Sequence, residues 1–368
     1  MQEVILIDFL LVGSAETDHL CVESLSYLSF DTLESATTDE KDILGIHMQE
    51  LLLRMLTSTL RRNIHIMQFL YLLERLRMPG LNELMLGITY LGDEMAFLVI
   101  ALVTFWCIDK RQGYFLISVG FAGTVLSQFM KLACRIPRPW VRDPNFTILE
   151  QARAAATGYS FPSGHSQASV GTFGSIARTA KTRWWRAVCI AIAILVPFSR
   201  MYIGVHTPAD VLVGSGISLV LIFLLYPVVY RKEGRGFKWL LAGMLVMAMA
   251  YVVYVERYPF PTDVDVLNLH HGQENAYTLL GSITAICIVY LLDSKWIRFD
   301  THAVWWAQIL KAVLGIGLAL LVKEGLKAPL EGALPALTAR AVRYFLTVLT
   351  VGGLWPVTFQ YFAKFGRK

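Results

Sequence analysis

The sequence predicts an all-α, polytopic membrane bundle of about nine spans, and three observations carry that prediction. The 368 residues are 55% hydrophobic and only 17% charged, far from the composition of a water-soluble domain. A helix needs about 20 apolar residues to cross a bilayer. Stretches of roughly that kind recur at 93–108, 114–136, 164–178, 187–204, 208–229, 239–256, 276–292, 304–323 and 343–362. Basic turns recur at every second connection: Asp109-Lys110-Arg111, 178–186 (RTAKTRWWR), 230–238 (YRKEGRGFK) and 364–368, with 294–298 a weaker example. The positive-inside rule assigns such turns to the cytoplasm, so the opposite helix ends face outward. Trp184 and Trp185 stand beside the basic residues, as interfacial anchors do.

The elements follow in order. Residues 1–47 carry ten acidic residues against one lysine, whereas the remainder of the chain is strongly basic. The first dozen (MQEVILIDFLLV) are too short for a span and lack the basic start of a signal peptide, so 1–47 read as a weakly ordered acidic extension. Residues 48–79 mix arginines with Leu51, Leu52, Met55 and Leu56 at helical spacing, which suits an amphipathic interfacial helix. Residues 80–230 hold the chemistry-bearing motifs, and 231–368 read as additional transmembrane helices without an assigned role. The stretch 164–178 (GHSQASVGTFGSIAR) is short and rich in small residues, as fits a helix packed inside the bundle. The five cysteines are scattered with no paired spacing and read as small core residues. Residues 256–275 contain Asp263, Asp265, His270, His271 and Glu274, but at no established metal-ligand spacing, so they read as a solvated outer loop.

Three segments fit together as one phosphate-handling site: 131–139 (KLACRIPRP), 161–166 (FPSGHS) and 199–210 (SRMYIGVHTPAD). Cations and histidines are costly to hold near hydrocarbon, and their concentration here calls for a functional explanation. Thr207-Pro208-Ala209-Asp210 reads as a helix start, with Thr at the N-cap and Pro at N1. The four-residue offset brings Asp210 toward His206. A carboxylate on one ring nitrogen leaves the other as a lone-pair nucleophile and stabilises the imidazolium that forms. Ser163 and Gly164 open a helix whose exposed N–H groups form an anion site. His165 beside them is suited to protonate a departing alkoxide. Lys131, Arg138 and Arg200 sit at helix ends, where guanidinium forks and an ammonium suit phosphate oxygens. Each feature alone has a plainer explanation: a helix cap, an incidental histidine, a snorkelling cation. Their convergence is what points to phosphoryl chemistry.

The order Lys-x6-Arg-Pro, Pro-Ser-Gly-His, Ser-Arg-x5-His-x3-Asp resembles the type 2 phosphatidic acid phosphatase superfamily, which includes lipid phosphate phosphatases and vanadium haloperoxidases. Lys131, Arg138, Pro139, Pro162, Ser163, Gly164, His165, Ser199, Arg200, His206 and Asp210 fill every signature position. The resemblance covers about residues 80–230 and implies a six-helix-type phosphatase core. It further implies metal-independent hydrolysis of a phosphomonoester or pyrophosphate through a phosphohistidine. By position, His206 would be the nucleophile, Asp210 its orienting carboxylate and His165 the acid, then base. Lys131, Arg138, Ser163, Gly164 and Arg200 would cradle the phosphoryl oxygens.

The function expected is that of an integral membrane phosphatase for a lipid phosphate or isoprenoid pyrophosphate at the outer face. Its localisation would be a bacterial-type plasma membrane. Its partners would be the lipid substrate and the bilayer, with no nucleic acid, no cofactor and an oligomeric state left open. A phosphotransferase on the same scaffold and a non-catalytic transporter or scaffold are the alternatives. A haloperoxidase is disfavoured because that branch is soluble. Specificity is expected in the grooves between spans and in loop 140–160, with Tyr159 and Phe161 read as packing residues.

Overall fold

The computed structural model describes residues 66–230, 235–262 and 264–364. The expectation for 1–47 and most of that for 48–79 lie outside these residues, as does Asp263. The described elements are helices α1 (66–75), α2 (Pro79–Thr89), α3 (Glu94–Val103), α4 (Lys110–Cys134), α5 (Gly164–Thr179) and α6 (Arg183–Ile203). They continue with α7 (Pro208–Tyr230), α8 (Arg235–Arg257), α9 (Val266–Leu292), α10 (Trp305–Gly325), α11 (Lys327–Ala333) and α12 (Ala336–Leu349). No strand occurs among the described residues, in line with the all-α prediction.

Among the described residues, seven segments are long and apolar enough to cross a membrane, or eight if one bent pair counts as a span, one or two fewer than the approximate nine expected. The bent pair accounts for the first expected span. Pro79–Gly92 and Glu94–Ile108 meet at 53°, leaving the second arm too short to cross alone. The break falls at Asp93, whose extended backbone starts the second arm, and Gly92 beside it allows close packing: a Cβ there would come 2.6 Å from Val196 and 2.9 Å from the His165 carbonyl oxygen. The other shortfall is α5, whose 16 residues extend about 24 Å against a hydrocarbon core of about 30 Å. It survives by burial, packed among α4, α6 and α7. The Ser218 hydroxyl of α7 donates to the Gln167 carbonyl at 2.6 Å, and Gln167 Nε2 donates back to that hydroxyl at 3.3 Å. The outer loop expected over 256–275 is also corrected, because α9 already begins at Val266, with the Asp265 side chain capping Asn268 N. Chain directions alternate so that Lys131, His165, Arg200 and Asp210 share one end of the bundle.

The opposite end carries the basic residues Lys110, Arg111, Lys181, Arg183 and Arg186 and exposes Trp184, Trp185, Trp239, Trp296 and Trp305. Such a belt marks a membrane–water interface. Between the ends, Leu212, Phe223 and Leu224 of α7 and Val313 and Leu321 of α10 face outward, a surface suited to lipid tails. The last helices are fastened to the rest at the tryptophan end. Lys110 Nζ donates to both Asp293 carboxylate oxygens at 2.9 Å and lies 3.7 Å from the Phe299 ring centre. Trp106 Nε1 donates to the Val351 carbonyl at 3.1 Å. Asp293→Ala would leave the Lys110 ammonium half-buried without its partner. The expected cost is about 1–3 kcal/mol, read as a lower unfolding midpoint in detergent. An unchanged midpoint would assign the joint to Trp106 instead.

Candidate active site

Helix α4 ends at Cys134, where Arg135 takes a left-handed conformation (φ 48°) and its N–H returns to the Lys131 carbonyl. Pro137 and Pro139 cannot continue the helix, so Arg138 is presented on extended backbone. Its guanidinium is buried and held by carbonyls: Nε donates to Gly158 at 3.1 Å, Nη2 to Thr157 at 2.7 Å and Nη1 to Val205 at 3.0 Å. Lys131 Nζ donates to the Tyr159 carbonyl at 2.6 Å. The segment 157–159 therefore acts as a collar that fixes two cations of different origin in the chain. Tyr159 and Phe161 are buried, as packing residues are.

The turn before α7 carries His206. Thr207 N donates to Asp210 Oδ2 at 2.7 Å and Asp210 N to Thr207 Oγ1 at 3.3 Å, a reciprocal cap of the kind the sequence suggests. The same Asp210 oxygen accepts from Ser160 Oγ at 2.6 Å and lies 3.5 Å from His206 Nδ1. Ser160 Oγ is also 3.5 Å from Nδ1. On the other side of the ring, Arg138 Nη1 is 3.0 Å from Nε2. Arginine can only donate, so Nε2 must be the acceptor and the ring proton sits on Nδ1, toward Asp210 and Ser160. Burial first, then the charge of Arg138, holds the His206 imidazole well below its ordinary pKa and keeps it neutral.

Ser163 caps α5 through its side chain, accepting from Ser166 N, and its own N–H donates to the Asp210 carbonyl at 2.9 Å. Helix α7 presses against this turn at Gly214, where a Cβ would sit 2.5 Å from the Ser163 oxygen. Arg200, near the end of α6, donates through Nη1 to Thr89 Oγ1 at 2.9 Å, while its Nε is buried with no partner among the described residues.

Lys131, Arg138, Gly164, His165, Arg200 and His206 line one cavity of about 330 Å³. Ser163 and Asp210 do not line it; they stand behind, one as a helix cap and one against the far side of the His206 ring. Several contributors escape sequence reasoning. Ser160 shares the Asp210 oxygen, Thr89 anchors Arg200, and Asp93 and Glu94 bring carboxylates to the cavity wall. No local pattern marks any of them; the adjacency of Ser160 to the Phe-Pro-Ser-Gly-His stretch is the nearest signal. Among the described residues, no group of three or more His, Cys, Asp or Glu side chains is arranged to hold a metal ion.

A family model described as PAP2 superfamily matches residues 111–233, across the helices that build this cavity. A second, described as PAP2 superfamily phosphatase, transmembrane extension, matches residues 277–367. The chain belongs to the PAP2 superfamily. The later helices thus form an extension known within this family rather than an unrelated addition. Phosphatidylglycerophosphatase B of Bacillus subtilis (strain 168) is 29% identical over 164 residues, 40% of this chain and 75% of that protein. An undecaprenyl-diphosphatase of Sulfolobus acidocaldarius is 32% identical over 135 residues, 36% of this chain and 64% of that protein. The crystal structure of a transmembrane PAP2 type phosphatidylglycerolphosphate phosphatase from Bacillus subtilis aligns at TM-score 0.41 and 26% identity, over 52% of this chain and 98% of that one.

Proposed function

We propose that this PAP2 chain is an integral membrane phosphatase that hydrolyses a lipid phosphate or isoprenoid pyrophosphate through a phosphohistidine on His206. The observation that carries the proposal is the polarity of the His206 ring. Its lone-pair nitrogen meets Arg138 on the cavity side, and its protonated nitrogen faces Asp210 and Ser160. A phosphoryl oxygen taking over the Arg138 donor would bring phosphorus next to Nε2. The N–P bond then forms as the bond to the leaving oxygen breaks, and His165 supplies the proton that oxygen needs. Water attacks the phosphohistidine next, giving its proton back to His165, and inorganic phosphate departs as the N–P bond breaks.

Lys131, Arg138, Arg200 and the Gly164 amide act on the charge spread over the equatorial oxygens, which is where most of the rate gain arises. Ser163 contributes by holding the first turn of α5. The core of the reaction spans about residues 80–230, and the extension adds to it. A site at helix ends, opposite the basic turns, supports an outward-facing location in a bacterial-type plasma membrane.

The experiment is phosphate release from a panel of lipid phosphates and pyrophosphates by purified protein, with EDTA present and vanadate as inhibitor. Turnover that survives EDTA and is blocked by vanadate, a mimic of the five-coordinate phosphoryl group, is the expected result. Loss of turnover in EDTA would contradict the mechanism. Because His206 is held neutral, the acid limb of kcat/KM should fall below pH 6.5, the ordinary histidine value. A limb above that value would assign the titration to another group.

A further inference from the structure

A second, smaller cavity of about 40 Å³ adjoins the first. Gln128, Lys131 and Thr157 line both, so the two spaces meet at the phosphate cradle. The remaining wall of the small cavity is largely helix α9: Asn268, His271, Gly272 and Asn275. Offsets of three and four residues put these on one helical face. Gly272 brings that face close, since a Cβ there would meet Leu132 of α4 at 2.5 Å. The start of α9 is anchored to the collar by Asp265 N, which donates to the Tyr159 hydroxyl at 3.3 Å. Farther along, His271 Nδ1 lies 3.4 Å from Glu274, whose carboxylate accepts from Arg340 of α12 at 2.8 Å. The lining residues of α9 fall between the two segments that the family models match, 111–233 and 277–367.

The chemistry of this wall differs from that of the cradle. It offers carboxamides from Asn268, Asn275 and Gln128, and its one lysine or arginine among the described residues is Lys131, which the cradle already uses. Carboxamides both donate and accept, which matches a hydroxyl group. A second phosphate would call for further cations, and this wall supplies none beyond Lys131 among the described residues. The volume suits a group of a few heavy atoms.

We propose that α9 forms a headgroup subsite that takes a hydroxyl-bearing carbon next to the scissile phosphate, so that the extension helices set substrate choice. This rests on the phosphatase reading above. It assigns the enzyme to hydroxyl-bearing lipid phosphomonoesters in preference to alkyl phosphates and isoprenoid pyrophosphates that lack such a group.

The test uses the full chain in detergent and two probes of equal chain length. One is a 1-acyl-2-hydroxyglycerol 3-phosphate, and the other is its analogue without the 2-hydroxyl. Wild type should favour the hydroxylated probe by about tenfold in kcat/KM, the effect of one well-made hydrogen bond. Asn275→Leu and Asn268→Leu should bring that ratio toward one. A general loss of fold would lower both rates together and leave the ratio unchanged. Equal rates for the two probes in wild type would overturn the subsite while leaving the phosphatase intact. A preference that persists in folded variants would overturn it as well, since the discrimination would then arise elsewhere. If the variants do not fold, the wild-type ratio alone decides. No release from either probe, or from any of the lipids in the panel, would strike the phosphatase reading first and the subsite with it.

Discussion

Replacing His206 with alanine is expected to abolish phosphate release, by at least about 10⁴-fold in kcat, with the fold retained. The size follows from what the ring does. Among the described residues it is the only group on the cavity wall whose lone pair is turned to a guanidinium donor by a fixed tautomer, and no neighbour can take its place as attacking atom. Retention of the fold is expected because the turn around it is held by other bonds. Thr207 and Asp210 cap α7 without help from the ring, and Arg138 keeps three backbone carbonyl partners when His206 is removed. Turnover near the wild-type rate in the purified variant would remove His206 from the mechanism. A circular dichroism spectrum and a size-exclusion profile unchanged from wild type would show that the loss is chemical.

Asp210→Asn is expected to lower kcat by about 10²–10⁴-fold with little change in stability. The carboxylate oxygen that accepts from Thr207 N and Ser160 Oγ can be replaced by the amide oxygen in the same position, so the helix cap survives. What is lost is the negative charge 3.5 Å from Nδ1, the feature that stabilises the ring once phosphorus is bonded to Nε2. The substitution therefore separates the two roles of this side chain. An unchanged rate would reduce Asp210 to a helix cap. A large fall in unfolding midpoint with the rate per folded molecule preserved would point the same way.

Much of this site is legible in the order of residues alone, because its parts sit at local boundaries that sequence marks well. Pro137 and Pro139 stop α4 and leave Arg138 beyond its end, Ser163 caps α5, and Thr207-Pro208-Ala209-Asp210 starts α7. Each is a short-range rule of helix starts and stops. The rest depends on how separate segments close on one another, which no short-range rule encodes. Ser160 matters only because folding sets it between Asp210 and the His206 ring. The same is true of Thr89, which meets Arg200 of α6 from the end of α2.

The fold shows the same division. Apolar runs locate the spans and the small residues of 164–178 place α5 inside the bundle, but no local pattern reveals the bend that breaks the first span between Gly92 and Glu94. Residues 266–275 read as a polar loop because Asp265, His270, His271 and Glu274 obscure the helical pattern. In the structure those polar groups are the outer turns of α9, and one face of them meets the cavity. His271 lines the cavity with Asn268 and Asn275, whereas Asp265 and His270 face solvent. The extension helices, silent in sequence, thereby gain a position next to the cradle.

The measurement that bears most directly on the central claim is capture of the covalent intermediate. Wild-type protein would be mixed with a substrate labelled at the scissile phosphate and quenched within a turnover. The denatured chain would then be mapped for label. The account predicts acid-labile, alkali-stable phosphate on His206, absent from the His206→Ala variant. Turnover with label on another residue, or with no label on the protein under conditions that accumulate an intermediate, would contradict it.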